Sequence, residues 1–193
     1  MDIEYEATFQ NIIKDDIRSR LIACNAVLER PEFMQKRAVF LLPTGHEITG
    51  GWLRVRDEGD KITMSLKVVD GSAIVDQKET CITVSSFGDA CLLLESMGCR
   101  KKAFQESKRE LWKLDGVEVT IDEWPFLEPF VEVEGKDEES VRQVATKLGF
   151  DWATAKFCAV GTLYSERYGL PETVINNETP EILFEGVNPF KGH

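Results

Sequence analysis

Polar and apolar side chains alternate along the first residues of the chain. In residues 3–9 (IEYEATF), Glu4 and Glu6 fall on one face and the apolar residues fall on the other. A strand projects its side chains with a period of two, so the two carboxylates stand about 7 Å apart on the same side. Glu132 and Glu134 repeat this arrangement later in the chain. The pattern predicts strands that are apolar on one face and acidic on the other.

A run of short strands is predicted between residues 37 and 134, where turn residues separate most of the alternating stretches. These predicted strands cover residues 38–42, 51–56, 61–69, 79–85, 99–104, 109–114, 116–122 and 130–135. With the opening strand they number eight or nine, close to what a small closed barrel requires. The run is typical of an antiparallel meander.

Three stretches have apolar residues at helical spacing. Residues 11–29 predict an amphipathic helix that Pro31 stops, and residues 87–97 predict a second helix among the strands. A third helix is predicted over residues 138–148, with Asp137 as its N-cap. The chain therefore combines a β meander with flanking helices.

Length and composition predict one domain. The chain has 193 residues, of which 42% are hydrophobic and 30% charged, enough for one sizeable core. Residues 1–193 are expected to form a single α+β domain, with a loop-like tail from about residue 170.

The charge and the cysteines narrow the class of partner. A net charge of -11 argues against non-specific binding to nucleic acid or to an anionic membrane, so an anionic ligand needs a local basic cluster or bound cations. The five cysteines form no C-x-x-C pair, which indicates neither a disulfide framework nor a zinc knuckle. The start, MDIEYEA, has no basic leader, and no apolar run is long enough to span a membrane, so we expect a cytoplasmic protein.

Several common catalytic motifs are missing from the sequence. His46 and His193 are its only histidines, which leaves no material for a histidine-based triad or an H-E-x-x-H zinc site. No glycine-rich phosphate loop of the P-loop or dinucleotide type occurs. Paired carboxylates also occur in glycosidases, but Arg and Lys beside them would be out of place around a neutral sugar.

Basic residues alternate on the strands in the same way as the acidic ones. Arg54 and Arg56 share one face of a predicted strand, and Lys67 ends the next strand. Strands that are apolar on one face and carry both charge signs on the other suggest a barrel that holds metal ions and a polyanion. The plainer alternative is that these residues form the solvated face of a sheet.

Three blocks of sequence, taken in order, resemble one known family. They are the Glu4-x-Glu6 opening, residues 53–67 with the LRVR strand, and residues 119–135 (VTIDEWPFLEPFVEVEG). Together they resemble the CYTH superfamily, the triphosphate tunnel metalloenzymes, which includes class IV adenylate cyclases and thiamine triphosphatases. The resemblance runs from Glu4 to Glu166. It implies an α+β fold built on an eight-stranded antiparallel β barrel, the triphosphate tunnel, with flanking helices.

The resemblance also implies a role for individual side chains. The carboxylates implied to bind Mg2+ or Mn2+ are Glu4, Glu6, Asp122, Glu132 and Glu134. The basic residues implied to grip a triphosphate are Arg54, Arg56, Lys67 and Arg109, with Lys108 as a possible substitute nearby. Catalysis is implied for Glu4, Glu6, Arg54, Arg56 and Lys67. These residue types suit the chemistry, because hard cations prefer carboxylate oxygens and arginine forks match phosphate oxygens.

Three positions depart from the family pattern. Family members usually have lysine where this chain has Thr8, and many have lysine where it has Ser107, which Lys108 could compensate. A late lysine is also missing near residues 162–163, with Lys156 as the nearest substitute. If the lysines are lost while the carboxylates remain, metal binding should survive better than triphosphate affinity.

Two further residues have more than one interpretation. Asp122 could instead cap a turn, and Glu79 could be an inward acid or a solvated edge residue. The tryptophans are explained by packing in the core or at the barrel rim.

The sequence therefore predicts a divalent-metal-dependent hydrolase of a triphosphate compound, either inorganic triphosphate or thiamine triphosphate. One alternative is a class IV adenylate cyclase that makes cyclic AMP and pyrophosphate from ATP. Another is a non-catalytic, metal-dependent binding module for polyphosphate or a nucleotide. A homodimer is plausible, and neither nucleic acid nor a membrane is expected as a partner.

Overall fold

The computed structural model describes residues 1–191, in which ten strands belong to one sheet. In chain order the strands are β1 (Asp2–Ile3), β2 (Tyr5–Phe9), β3 (Val27–Leu41), β4 (Gly51–Asp57), β5 (Ile62–Val69), β6 (Gln77–Val84), β7 (Arg100–Leu114), β8 (Val117–Glu123), β9 (Phe130–Gly135) and β10 (Glu181–Ile182). The α-helices of the same residues are α1 (Lys14–Ala23), α2 (Phe87–Ser96), α3 (Glu138–Lys147), α4 (Val160–Tyr168) and α5 (Glu172–Asn177). His193 lies outside the described residues.

The opening segment of the chain closes the sheet into a barrel. The strand order is β1-β6-β5-β4-β3-β7-β8-β9-β2, and every neighbouring pair on this path is antiparallel. Only Glu4 separates β1 from β2, so one segment pairs with β6 at its start and with β9 further on. This confirms the predicted antiparallel barrel with flanking helices. The path has nine strands because the opening segment is interrupted at Glu4.

The apolar core lies outside the barrel, between the sheet and the helices. Ala7 and Phe9 of β2 and Val131 and Val133 of β9 are buried in one cluster with residues of α1 and α3. Their neighbours along the strands point the other way, into the barrel, as the period of two requires. Each fully buried aliphatic side chain contributes about 1.5–3 kcal/mol to folding, so helix packing on the outside stabilises a polar interior.

Two elements differ in extent from the sequence prediction. The helix predicted over residues 11–29 ends at Ala23, and the chain from Val27 onward is strand β3, which includes Pro31. Proline has no N–H for the ladder, and the β3–β7 register shifts between Leu28 and Arg30, just before it, and again between Arg30 and Phe33, across it. The two strands predicted over 99–104 and 109–114 form one continuous strand, β7.

The other two predicted helices begin where expected and end one residue earlier than expected. In α3, Asp137 is the N-cap as predicted, because its carboxylate accepts a hydrogen bond of 2.8 Å from the backbone N–H of Ser140. In α2, the Ser86 hydroxyl accepts a hydrogen bond from the N–H of Asp89. No helix within residues 1–191 is both long and apolar enough to cross a lipid bilayer.

The tail after residue 170, expected to be loop-like, is partly regular and packed against the barrel. Its helix α5 is followed by β10, which pairs in parallel with β7 at Phe104 and Gln105. Ile175, Ile182 and Phe190 are buried in a cluster with residues of α4. The order of the tail comes from these contacts with residues that are far away in the sequence.

Candidate active site

The barrel encloses a cavity of about 800 Å³, and ionisable side chains of both signs line it. Eight of the ten predicted site residues stand on its wall: Glu4, Glu6, Arg54, Arg56, Lys67, Arg109, Glu132 and Glu134. They come from strands that are far apart in the sequence, and the closure of the barrel brings them together. The interpretation of these residues as the wet face of an open sheet is therefore wrong for this chain.

Lys67 of β5 faces the two glutamates of the opening segment. Its ammonium Nζ lies 2.7 Å from Oε2 of Glu4 and 3.7 Å from Oε1 of Glu6. Burial alone would lower the pKa of Lys67, but Glu6 and Glu4 outweigh it and hold the pKa above its usual range. Lys67 thus stays charged and partly compensates the acidic pair.

Glu79 of β6 lies beside Glu4 on the cavity wall, so its interpretation as an inward acid is confirmed. It accepts a hydrogen bond of 2.8 Å from Arg54. Burial would raise its pKa, but Arg54 outweighs that effect and lowers the pKa to about 2. Glu4 behaves in the opposite way: burial raises its pKa to about 8 despite Lys67. Two neighbouring glutamates thus differ in charge near neutral pH.

Arg109 of β7 is held by carboxylates from the two following strands. Its Nε and Nη2 each donate a hydrogen bond of 2.7 Å to Asp122, and Nη2 also donates one of 2.5 Å to Glu132. Asp122 is buried behind Arg109 and is not on the cavity wall. Burial would raise the pKa of Asp122, but Arg109 outweighs it and lowers the pKa. Asp122 therefore positions Arg109 in this structure, and its role as a metal ligand stays a prediction.

Three carboxylates form an acidic wall on β2 and β9. Glu6 and Glu134 are directly opposite each other in the register of these two strands. Burial and the nearby Glu6 raise the pKa of Glu134 to about 7, and the same two causes raise the pKa of Glu132 well above its usual range. Neighbouring carboxylates disfavour each other's ionisation, and here Lys67 beside Glu6 and Arg109 on Glu132 only partly offset that effect.

This acidic wall fits a hard divalent cation. Carboxylate oxygens are the ligands that Mg2+ and Mn2+ prefer, and a cation would relieve the repulsion among Glu6, Glu132 and Glu134. Within residues 1–191, no three Asp, Glu, His or Cys side chains already converge as a metal cage. Mg2+ does not need one, because it usually keeps several waters and binds one or two carboxylates together with substrate phosphates.

Arg54 and Arg56 stand on neighbouring inward positions of β4. Arg54 contacts Glu79, and the Nη2 of Arg56 lies 2.8 Å from Oε1 of Glu58. Burial and the nearby Arg54 lower the pKa of Arg56 to about 10. The Nε atoms of both arginines are buried without a hydrogen-bond partner. Each arginine therefore has one donor without a partner among the described residues.

Lys108 and Lys156 do not reach the cavity wall. Lys108 follows the opposite face of β7 from Arg109, where it lies 3.7 Å from Glu123 and above the ring of Phe184. The suggestion that Lys108 compensates for the missing lysine at Ser107 is therefore not supported, because adjacent residues of a strand point to opposite sides. Lys156 forms its ion pair with Glu166.

Sequence analysis missed Arg37, a buried arginine on the cavity wall. It lies on β3, opposite Arg56 in the register of β3 and β4. The predicted strand begins only at residue 38, because Pro31 and the helical spacing before it predict a helix that ends there. Extending the alternation back from Val39 would have placed Arg37 and Gln35 on one face. Other charged residues on the wall that were not predicted are Glu58, Lys61, Lys102, Glu118 and Glu172.

The geometry agrees with a comparison of the sequence with known families. The model of the CYTH domain matches residues 4–154, which is more than half of the chain. The chain belongs to the CYTH family. CYTH proteins bind triphosphate substrates, include adenylyl cyclases and triphosphatases, and generally depend on a divalent metal. No curated protein matches the chain.

Solved structures show the same CYTH barrel. The PH1012 protein of Pyrococcus horikoshii is 20% identical, with a TM-score of 0.68 over 83% of this chain and 98% of that one. A proposed adenylate cyclase of Vibrio parahaemolyticus is 13% identical, with a TM-score of 0.71 over 85% and 98%. HpAC1 of Hippeastrum, a proposed adenylyl cyclase described as having a dominant triphosphatase activity, is 13% identical, with a TM-score of 0.55 over 100% of both chains. At these identities the likeness shows the fold alone.

Proposed function

We propose that the protein is a divalent-metal-dependent hydrolase of a triphosphate compound, with inorganic triphosphate or thiamine triphosphate as its substrate. One observation carries the proposal: a single cavity has a basic wall that includes Arg54, Arg56 and Lys67 and an acidic wall of Glu6, Glu132 and Glu134. A polyanion needs the first wall, and the cation that accompanies it needs the second. A volume of about 800 Å³ leaves room for both and for water.

The basic residues bind and orient the phosphate chain. Arg54, Arg56 and Arg109 present planar, permanently charged groups, and carboxylates of β6 and β8 hold Arg54 and Arg109 in place. Lys67 adds a compact charge beside Glu4. Fixed positive charge of this kind stabilises the negative charge that spreads over the phosphate oxygens in the transition state.

The acidic residues bind the divalent cation. Glu6, Glu132 and Glu134 would hold Mg2+ or Mn2+. The ammonium of Lys67 lies between Glu6 and Glu4. A bound divalent cation neutralises phosphate charge and polarises the phosphorus for attack by water. Burial raises the pKa of Glu4 to about 8, so in the free protein this carboxyl mostly carries a proton near neutral pH.

One comparison favours hydrolysis over cyclisation. The similar protein HpAC1 is described as having a dominant triphosphatase activity, although it is a proposed adenylyl cyclase. The class IV adenylate cyclase activity remains the second candidate, because the same cavity would hold the triphosphate of ATP. A non-catalytic binding module is the third, and the threonine and serine at Thr8 and Ser107, in place of lysines, favour it.

The test is product release from inorganic triphosphate, thiamine triphosphate and ATP, with Mg2+, with Mn2+ and with EDTA. Metal-dependent release of phosphate from one of the first two supports the hydrolase. Formation of cyclic AMP and pyrophosphate from ATP would instead support the adenylate cyclase. Binding of one of these compounds without release of any product would support the non-catalytic binding module. The single domain, the homodimer and the cytoplasmic location remain predictions. Analytical ultracentrifugation would test the homodimer.

A further inference from the structure

Arg37 is a buried arginine whose hydrogen bonds, within residues 1–191, go to neutral side chains only. Its Nη2 donates a hydrogen bond of 2.7 Å to Oε1 of Gln35 and another to Oγ of Ser107. Its Nε is buried with no hydrogen-bond partner. Only 6% of the residue is exposed, and it lines the barrel cavity.

The other three arginines of the cavity each have a carboxylate partner. Arg54 pairs with Glu79, Arg56 pairs with Glu58, and Arg109 pairs with Asp122 and Glu132. A guanidinium cannot lose its proton under ordinary conditions, so a buried one without a counter-charge is unfavourable. A ligand that brings negative charge into the cavity would remove this cost.

The surroundings of Arg37 increase this cost. Burial and the charges of Arg54, Arg56 and Arg109 push its pKa well below the usual range, and the charge of Asp122 offsets them only in part, so its positive charge is disfavoured in the free protein. The Trp124 ring lies 4.2 Å from the guanidinium carbon and supports the plane of the group. Four arginines from β3, β4 and β7 thus surround one part of the cavity.

We propose that Arg37 binds the phosphate chain directly, as the fourth arginine of the cavity, and that Gln35, Ser107 and Trp124 orient it. The ligand class is an inorganic or organic polyphosphate, so the inference rests on the proposed function and names a residue that extends it. The guanidinium of Arg37 donates a hydrogen bond to Ser107, which stands at one of the positions where the sequence lacks an expected lysine. Arg37 therefore supplies a positive charge at that place from the neighbouring strand.

The test is calorimetric titration with inorganic triphosphate, in Mg2+ and in EDTA, on the wild type and on Arg37→Gln. Loss of a charge-assisted hydrogen bond should weaken binding by about 10- to 100-fold in both conditions. The melting temperature of the free variant should stay the same or rise, because the substitution removes a repelled charge. Arg142→Gln, an exposed arginine on α3, is the matched control and should bind as the wild type does.

A second variant separates ligand binding from a structural role. In Arg37→Gln combined with Ser107→Lys, a lysine returns positive charge to the same part of the cavity and should recover at least about tenfold of the lost affinity. Wild-type affinity in Arg37→Gln would overturn the inference. A lower melting temperature without recovery by Ser107→Lys would also overturn it, since Arg37 would then be structural.

These outcomes are distinct from those that test the hydrolase. If the wild type binds triphosphate but releases no product, the hydrolase proposal fails and the inference on Arg37 is decided by the variants alone. If the wild type binds no triphosphate in either condition, both fail.

Discussion

The ammonium of Lys67 lies 2.7 Å from the carboxylate of Glu4, and this ion pair crosses the place where the barrel closes. Lys67 is on β5 and Glu4 lies between β1 and β2, so the pair spans β6. The same ammonium is 3.7 Å from Glu6. One buried cation therefore joins the acidic opening segment to β5, two strands further along the barrel.

Replacement of Lys67 by glutamine should destabilise the protein by about 3 kcal/mol at pH 8, because it leaves buried carboxylates without their cation. Urea unfolding measures this change. The double variant Lys67→Gln with Glu4→Gln should lose less free energy of unfolding than the single variant, since the unpaired charge is removed as well. Equal losses in the two variants would contradict a stabilising role for the ion pair.

The stability of the metal-free protein should fall as the pH rises from about 5 to about 8. The pKa values of Glu4 and Glu134 are raised to about 8 and about 7 from a usual 4.5. The folded protein then binds more protons than the unfolded chain in this range, so raising the pH favours unfolding. Glu79, with its pKa lowered to about 2, contributes in the opposite direction only below about pH 4.5.

Thermal unfolding in EDTA between pH 5.5 and 8.5 measures this trend. Mg2+ should reverse it, because the cation binds ionised carboxylates and its affinity increases as they lose protons. A melting temperature that rises with pH in EDTA would contradict the raised pKa values.

The double variant Glu132→Gln with Glu134→Gln should lose metal-dependent activity while it keeps its fold. Loss of an outer partner of a metal site costs about 10- to 100-fold, so loss of two ligands should cost more than about 100-fold in turnover. Mg2+ should also no longer raise the melting temperature. Glu139→Gln, on the surface of α3, is the control for the same chemical change. Unchanged turnover in the double variant would remove these two residues from the site.

Thr8→Lys should raise the affinity for inorganic triphosphate by about tenfold. Thr8 is buried and pairs with Glu132 in the register of β2 and β9, so a lysine there adds positive charge beside the acidic wall. Thr80→Lys makes the same change on an exposed position of β6 and should leave binding unchanged. If Thr8→Lys folds normally and does not bind more tightly, the missing lysine does not limit affinity.

Local alternation was enough to place most of the site residues on one face. Glu4, Glu6, Glu132 and Glu134 were predicted from a period of two, and they stand on the cavity wall because neighbouring strands keep that period in register. The same rule separates Arg109 from Lys108. Arg37 was missed because Pro31 and the helical spacing before it concealed the start of β3.

The sequence by itself determined the class of fold, the residue types of the cavity and the strand faces they occupy, because these depend on periods of two and 3.6 residues within short segments. Only the tertiary structure decided which charges meet. Asp122 forms an ion pair with Arg109, while Arg37 has no carboxylate partner among the described residues. Ion pairing depends on distances between strands that are far apart in the sequence, and the closure of the barrel at Glu4 sets those distances.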